Sequence, residues 1–516
     1  MLRTAKGNLK KSIRAAVCSL RDDRFRKILE KVPKRLLPVF DHPSARDRFL
    51  AGRSSLSPSL WDLKPGARGQ MTLRGVDCLE LAERYGTPLY VVDAERLRKN
   101  FEEFRDGFTA RYPKAEVAYS YKTNPLPGVL AALDAFGADA EVVSGFELWL
   151  ALELGVSPGR IVYNGPGKTA EDLELAVSRN VKLVNVDGSH EIDAIEEIAG
   201  RHGHRQSVGV RVVTSVGWQG KFGFSIDTGA AFEAYRRLKG LKNVAPVGMH
   251  VHIGAGEGVG GPCDYARAAR EMCRLARQLR EKLDISIRYI DLGGGYSTIR
   301  TVRAYDSLDA RFLEANLPVQ EAAMKRCNRT EDYAAAVTDV LKKYCPSASP
   351  DALPTLILEP GTAVTCTAMF AMVKVLDVKS SRNGIRDVIV DGGRSFAGPT
   401  GWECHELLHA SRLAAPREEY FRVFGPTCTP YDMLFQVKRL PSLKRGDVLA
   451  IMDAGAYFVP LQTNFSYPRA AAVMVEEGSH RLIREREEYG DIVRMDIAPG
   501  RPRDLRIPAQ TRRGGP

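Results

Sequence analysis

From about residue 86 to residue 359, short β-rich runs alternate with helical stretches, and few architectures accept such a chain. The runs are Pro88–Val92, Ala115–Tyr119, Ala140–Val143, Ile161–Tyr163, Leu183–Val186, Val208–Val213, Pro246–Ile253, Ile287–Leu292 and Thr355–Glu359. Helical patterns lie between many of them, at Ala94–Arg111, Gly128–Phe136, Gly145–Leu154, Glu191–Ala199 and Tyr265–Lys282. Strands joined through helices pair in parallel, either in a doubly wound sheet or in a closed barrel. About eight units over roughly 270 residues favour the barrel.

After Gly361 the texture changes. Val373–Val378, Arg386–Val390, Asp447–Met452 and Ala471–Val475 are short β-like runs among frequent Gly and Pro. They predict a second domain, mainly antiparallel. The expected fold is therefore α/β plus β. A (β/α)8 TIM-like barrel covers residues 71–365, and a C-terminal antiparallel β-barrel or sandwich covers 366–497. The Pro88–Val92 strand is free to join the β domain instead. Residues 498–516, rich in Pro, Arg and Gly, read as a flexible tail. Residues 1–70 read as a basic extension, with a helical pattern over Leu9–Val32 and a linker marked by Pro58, Pro65 and Gly66.

Charge follows this division. Residues 1–70 hold 17 Lys/Arg and 6 Asp/Glu, so they carry +11 of the net +12. A near-neutral body argues against a nucleic-acid groove in the main fold. The extension suits an acidic partner or a solvated surface. No apolar run reaches the roughly 18 residues of a membrane span, and no apolar signal core follows the basic start. Nine cysteines without a CxxC pair fit reduced thiols, so a cytoplasmic setting is expected.

The chemistry-bearing residues gather at predicted strand ends, which share one mouth in a parallel barrel. Lys122 follows the Ala115–Tyr119 strand. Most strand-end lysines point to water, but a buried ammonium must be paired or neutralised, and an imine is one route. His250-Val-His252 closes another strand, Gly293-Gly-Gly295 follows a third, and Glu359-Pro-Gly361 ends the last. A glycine loop after a strand offers bare amides to a phosphate, although it is also an ordinary turn. His250 and His252 share one strand face by period-two alternation, and H-x-H also begins some metal sites; no further ligand set is evident, so no metal is expected. The β domain adds Gly425-Pro-Thr-Cys428 and Asp453-Ala-Gly-Ala-Tyr457. Two other matches fail. Gly256-x-Gly258-x-x-Gly261 lies too far along the chain to open a dinucleotide-binding unit, and Gly167-Lys168-Thr169 lacks the first glycine of a phosphate loop.

The stretches AYSYKTN, AEVVSGFEL, KFGF, HVHIGAG, DLGGGYS, LEPG, GPTC and DAGAY, in this order, are more specific than any member. Over roughly residues 75–480 the chain resembles the fold-type III pyridoxal-phosphate decarboxylases, the group of diaminopimelate and ornithine decarboxylases. The resemblance implies a (β/α)8 barrel with a β domain, pyridoxal 5'-phosphate as cofactor, and a homodimer with shared active sites. It implies that Lys122 forms the internal aldimine, that His252 stacks on the pyridine ring and that Glu359 pairs with the ring nitrogen. Gly294, Gly295 and Gly361 would hold the phosphate, with Tyr457 near phosphate and substrate. Glu141 and Ser144 would sit beside the cofactor; relatives often carry aspartate where Glu141 stands. Cys428 would reach in from the partner subunit as the second catalytic residue and protonate the α-carbon. The implied reaction is α-decarboxylation of an amino acid through an external aldimine and a quinonoid.

Two departures concern the substrate. The usual EPGR is Glu359-Pro-Gly-Thr362 here, which leaves Arg394 as a candidate anion contact. Relatives carry an acid just after the cysteine, where this chain has Cys428-Thr429-Pro430. Arg394, Thr429, Asp432 and Tyr457 are therefore the expected substrate contacts. A diaminopimelate-type substrate is expected first. D- or L-ornithine, lysine, or a modified or carrier-linked amino acid of secondary metabolism are alternatives, as are racemisation and a catalytically silent homologue that binds a partner.

Overall fold

The computed structural model describes residues 56–254, 260–296, 303–304, 328–345, 353–380 and 385–496. The expected Leu9–Val32 helix, the 498–516 tail and Gly256-x-Gly258 lie outside these residues.

Eight parallel strands close into a barrel: β1 (Ala115–Ser120), β2 (Asp139–Val142), β3 (Ile161–Tyr163), β4 (Leu183–Val186), β5 (Gln206–Val213), β6 (Val244–His250), β7 (Tyr289–Asp291) and β8 (Thr355–Leu358). The ladder runs in chain order from β1 to β8, and β8 returns to β1. Both faces of such strands are covered, so they read as apolar runs; every residue of β3 and β4 is buried. The outer helices bury one stripe each. In Ala94–Thr109 this is Leu97, Phe101, Phe104 and Phe108, and Asp93 caps the start by accepting from Glu95 N and Arg96 N, both at 3.1 Å. Helix Ser189–His202 runs longer than its pattern predicts, until Gly203 at φ 67° ends it.

Leu89–Asp93 is not a barrel strand. It pairs antiparallel with Met369–Lys379 and parallel with Ala471–Glu476, deep in the β domain's sheet. That sheet continues through Ile385–Val390, Glu419–Phe424 and Met433–Leu440 on one side and Ser479–Arg484 on the other. Its pairings are antiparallel apart from Leu89–Asp93 with Ala471–Glu476 and Ile385–Val390 with Glu419–Phe424. The last three of the added strands escape the sequence reading because Arg and Glu break their apolar pattern, as at Glu419, Arg422, Arg439 and Arg481.

The segment expected to be a linker is packed. Trp61 is buried, and its indole donates to Asp453 Oδ1 at 2.7 Å. Leu63–Pro65, Met71–Leu73 and Val76–Asp77 form a small antiparallel sheet whose Leu63, Met71 and Leu73 join the β-domain core. Pro65 and Gly66 make the turn of this sheet rather than a flexible joint.

Candidate active site

All eight barrel strands place a polar side chain at or just past their C-terminal ends. In strand order these are Lys122, Glu141, Asn164, Asn185, Arg211, His250, Asp291 and Glu359. Seven are buried, and the Lys122 side chain alone keeps 34% of its exposure. A buried polar group costs free energy unless it is paired, so the cluster must satisfy itself or a ligand.

Lys122 Nζ donates to Glu141 Oε2 at 2.8 Å and to Ser120 Oγ at 2.5 Å, and the Ser120 hydroxyl donates to the same Glu141 oxygen. Burial pulls the ammonium pKa down, but Glu141 and Glu359 outweigh it and hold it above the ordinary lysine value. Asn164 bridges the two acids: its Nδ2 lies 3.0 Å from Glu141 Oε1 and 2.5 Å from Glu359 Oε1. Asn185 Nδ2 fixes that amide by donating to Asn164 Oδ1 at 2.8 Å. His250 Nε2 lies 3.6 Å from Glu359 Oε2, with Arg211 Nη1 at 3.3 Å on its other side. Burial and Arg211 hold His250 well below the usual histidine pKa. Burial and the Glu359 charge push Asp291 up, and Asp291 Oδ1 accepts from Gly293 N at 2.9 Å. His250, Asp291 and Glu359 stand close enough to ligate a metal. With the Arg211 guanidinium beside His250 and Asp291 pushed toward its neutral form, the set suits a singly charged N–H donor better than a dication.

His252 lies past the end of β6, so strand alternation does not align it with His250. Its Nδ1 accepts from Gly294 N at 3.1 Å, and its ring meets Trp218 edge-on at 5.6 Å. Burial and Lys122 lower its pKa to about 3, so the ring is neutral. The glycine loop admits no side chain. A Cβ on Gly294 would come 2.5 Å from Glu359 O, and Gly295 has φ 96°. Gly361 packs on Thr123, and Tyr457 N donates to Thr123 O at 2.9 Å with Tyr457 itself at φ 66°. Ser144 caps helix Gly145–Glu153 by accepting from Glu147 N at 3.3 Å. Glu147, raised to about 7 by burial and the nearby Glu141, closes the same turn through Val143 N at 2.9 Å.

The expected substrate contacts separate into two kinds. Asp432 is buried and takes hydrogen bonds from Arg394 N at 2.7 Å, Thr427 N at 3.0 Å and Thr427 Oγ1 at 2.6 Å. It ties its own loop together, with three donors on a carboxylate that offers about four lone-pair sites. Arg394 keeps a half-buried guanidinium without an ion pair among the described residues. Cys428 is exposed and Thr429 half-buried, and no hydrogen bond links them to the Lys122 cluster among the described residues.

Ser120, Asn164, Asn185, Arg211 and Asp291 were not singled out from sequence. Their common signal is a polar residue at the end of an apolar strand, which has meaning only once the barrel places eight such ends together.

The donors fit pyridoxal phosphate: an amine for its aldehyde, a buried acid for its ring nitrogen, a neutral imidazole, and a loop of bare amides for its phosphate. A family model for the pyridoxal-dependent decarboxylase, pyridoxal binding domain, matches residues 95–366. The chain is 31% identical over 443 residues to the diaminopimelate decarboxylase of Aquifex aeolicus, covering 83% of this chain and 96% of that protein. The Bacillus subtilis diaminopimelate decarboxylase is 28% identical, with 83% and 95% covered. The crystal structure of diaminopimelate decarboxylase from Methanocaldococcus jannaschii superposes with a TM-score of 0.74 at 28% identity, over 85% of this chain and 98% of that one. The same enzyme in co-complex with L-lysine gives the same score. Fold, pocket chemistry and relatives agree, and the chain belongs to the fold-type III pyridoxal-phosphate-dependent decarboxylases, which remove CO2 from amino acids.

Proposed function

We propose that this chain decarboxylates a free amino acid of the diaminopimelate type, one with a carboxylate at its distal end. The observation that carries the reading is Lys122 Nζ, held 2.8 Å from buried Glu141 at the mouth of a barrel whose glycine loop lies beside His252. The cofactor supplies an electron sink for the bond to the departing carboxyl group. Lys122 is the amine that anchors it, and Ser120 and Glu141 orient that amine. Glu359, its carboxylate fixed by Asn164, would hold a proton at the ring nitrogen. Neutral His252 would border the ring. The amides of Gly294, Gly295 and Gly361 take the phosphate, and Tyr457, pinned to Thr123, borders it.

Cys428 is the acid that delivers a proton to the substrate α-carbon, acting in the site of a second copy of the chain. The homodimer reading is supported by the exposed ring of Tyr431, 81% accessible, and by Phe465 at 56%. Tyr467 OH donates to Pro426 O at 3.2 Å, so the Phe465 segment is continuous with the Cys428 loop. At the distal end of the substrate, Asp432 is already used by three donors and Thr429 carries no charge, whereas the Arg394 guanidinium has no ion pair among the described residues. That balance favours a distal carboxylate over a lone distal amine.

The test is CO2 release from meso-diaminopimelate, L-lysine and L-ornithine, with Lys122→Ala as the blank. Turnover of meso-diaminopimelate alone is expected, and its KM should rise in Arg394→Gln. Faster release from lysine or ornithine would overturn the substrate reading.

A further inference from the structure

Two helices outside the barrel reach inward to hold the glycine loops. Tyr265, on Pro262–Leu283, donates its hydroxyl to Gly294 O at 2.6 Å. Tyr333, on Thr330–Tyr344, donates to Gly260 O at 2.7 Å. The two rings meet edge-on at 5.2 Å, and Tyr296 packs against both. Any motion between these helices therefore reaches the loop beside His252.

Farther along the same helices, two thiols come together. Cys273 is buried on the first helix, and half-buried Cys345 caps the second. Their Sγ atoms are 2.7 Å apart, across 72 residues of chain. The hydrogen bond shared with Cys273 holds Cys345 below the usual thiol pKa, and Arg277 adds to that effect. Arg277 also donates to Tyr344 O at 3.3 Å, next to Cys345. Arg267, Arg270, Arg274 and Arg277 are exposed along one face of the helix and form no ion pair among the described residues. Such a stripe draws anionic small molecules.

We propose that Cys273 and Cys345 form a reversible disulfide that staples the helix pair and so braces the glycine loops. The oxidant is an anionic small-molecule disulfide such as oxidised glutathione. The Cys345 thiolate attacks one of its sulfurs, forming a mixed disulfide and releasing one thiolate, which takes up a proton. Cys273 loses its proton and attacks the Cys345 sulfur, releasing the second thiol. The protein loses two hydrogens, and one disulfide becomes two thiols.

The effect on the cofactor rests on the proposed role of the glycine loop; the bond itself does not. Holoenzyme is treated with oxidised glutathione, alkylated, digested without reductant and mapped by mass spectrometry. The expected product is a peptide pair joining Cys273 to Cys345, absent from Cys345→Ser and reversed by dithiothreitol. On dilution, oxidised wild type should lose cofactor several-fold more slowly than reduced wild type, and Cys345→Ser should release it at the reduced rate under either condition. Failure of the pair to form while exposed Cys428 takes up glutathione overturns the proposal. A pair that forms without changing the release rate overturns the bracing. CO2 release by Cys345→Ser is expected at the wild-type level, so neither failure touches the proposed reaction.

Discussion

At the barrel mouth each strand ends on a polar side chain that a neighbour holds, whereas the hydrogen bonds of the Gly425–Asp432 loop among the described residues stay within the β domain. Glu141, Asn164 and Glu359 form a continuous relay behind Lys122. Cys428 points its thiol into solvent, and Asp432 spends its carboxylate keeping that loop in shape. The barrel is thus equipped to hold the cofactor from one chain. On the proposed reading, Cys428 on that loop acts in the site of a second copy of the chain. A cofactor site and a proton-delivery site are therefore separable by mutation.

The sharpest break is Lys122→Ala. CO2 release should fall to the detection floor and the visible absorbance of bound cofactor should vanish, as read by spectrophotometry. Residual turnover with bound cofactor would mean another amine does the work. Cys428→Ala should lower kcat by about 10²–10⁴-fold, the usual worth of a positioned acid, while cofactor affinity stays unchanged. Equal losses in both would put the loop inside the cofactor site and erase the contrast.

A smaller effect is expected at Asn164→Ala, which leaves two buried acids short of a donor. A cost of about 1–3 kcal/mol should appear as weaker cofactor binding in fluorescence titration, with Cys428 reactivity toward a thiol reagent unaltered. The smallest concerns Glu147, whose folded pKa is raised from 4.5 to about 7. A raised folded pKa gives stability that is full below 4.5 and is lost as pH climbs through about 7. Glu147→Gln should flatten the fall in melting temperature between those pH values; an unchanged slope would exclude Glu147 as its source.

Much of the barrel was legible because apolar strands and amphipathic helices have different periods. Lys122, His252, the glycine loop and Glu359 were legible because their order along the chain is specific. The β domain was harder. Ser479–Arg484 carries Ser, His and Arg where an apolar run was sought, and its pairing with Ala471–Glu476 makes it a strand. Asp432 looked like a free acid because sequence shows a charge but not the three donors around it. Trp61 looked like part of a linker because its partner, Asp453, lies 392 residues away.

The position of Leu89–Asp93 also sets an order of assembly. This strand precedes the barrel in the chain yet pairs with Met369–Lys379 and Ala471–Glu476, which follow it. At a synthesis rate of about 5–20 residues per second, it waits tens of seconds for its second neighbour. Until then one of its edges has no partner strand, although all eight barrel strands have been made. Synthesis thus delivers all eight barrel strands before the sheet has its last members, and a chain cut between the two domains would leave that strand on the wrong side of the cut.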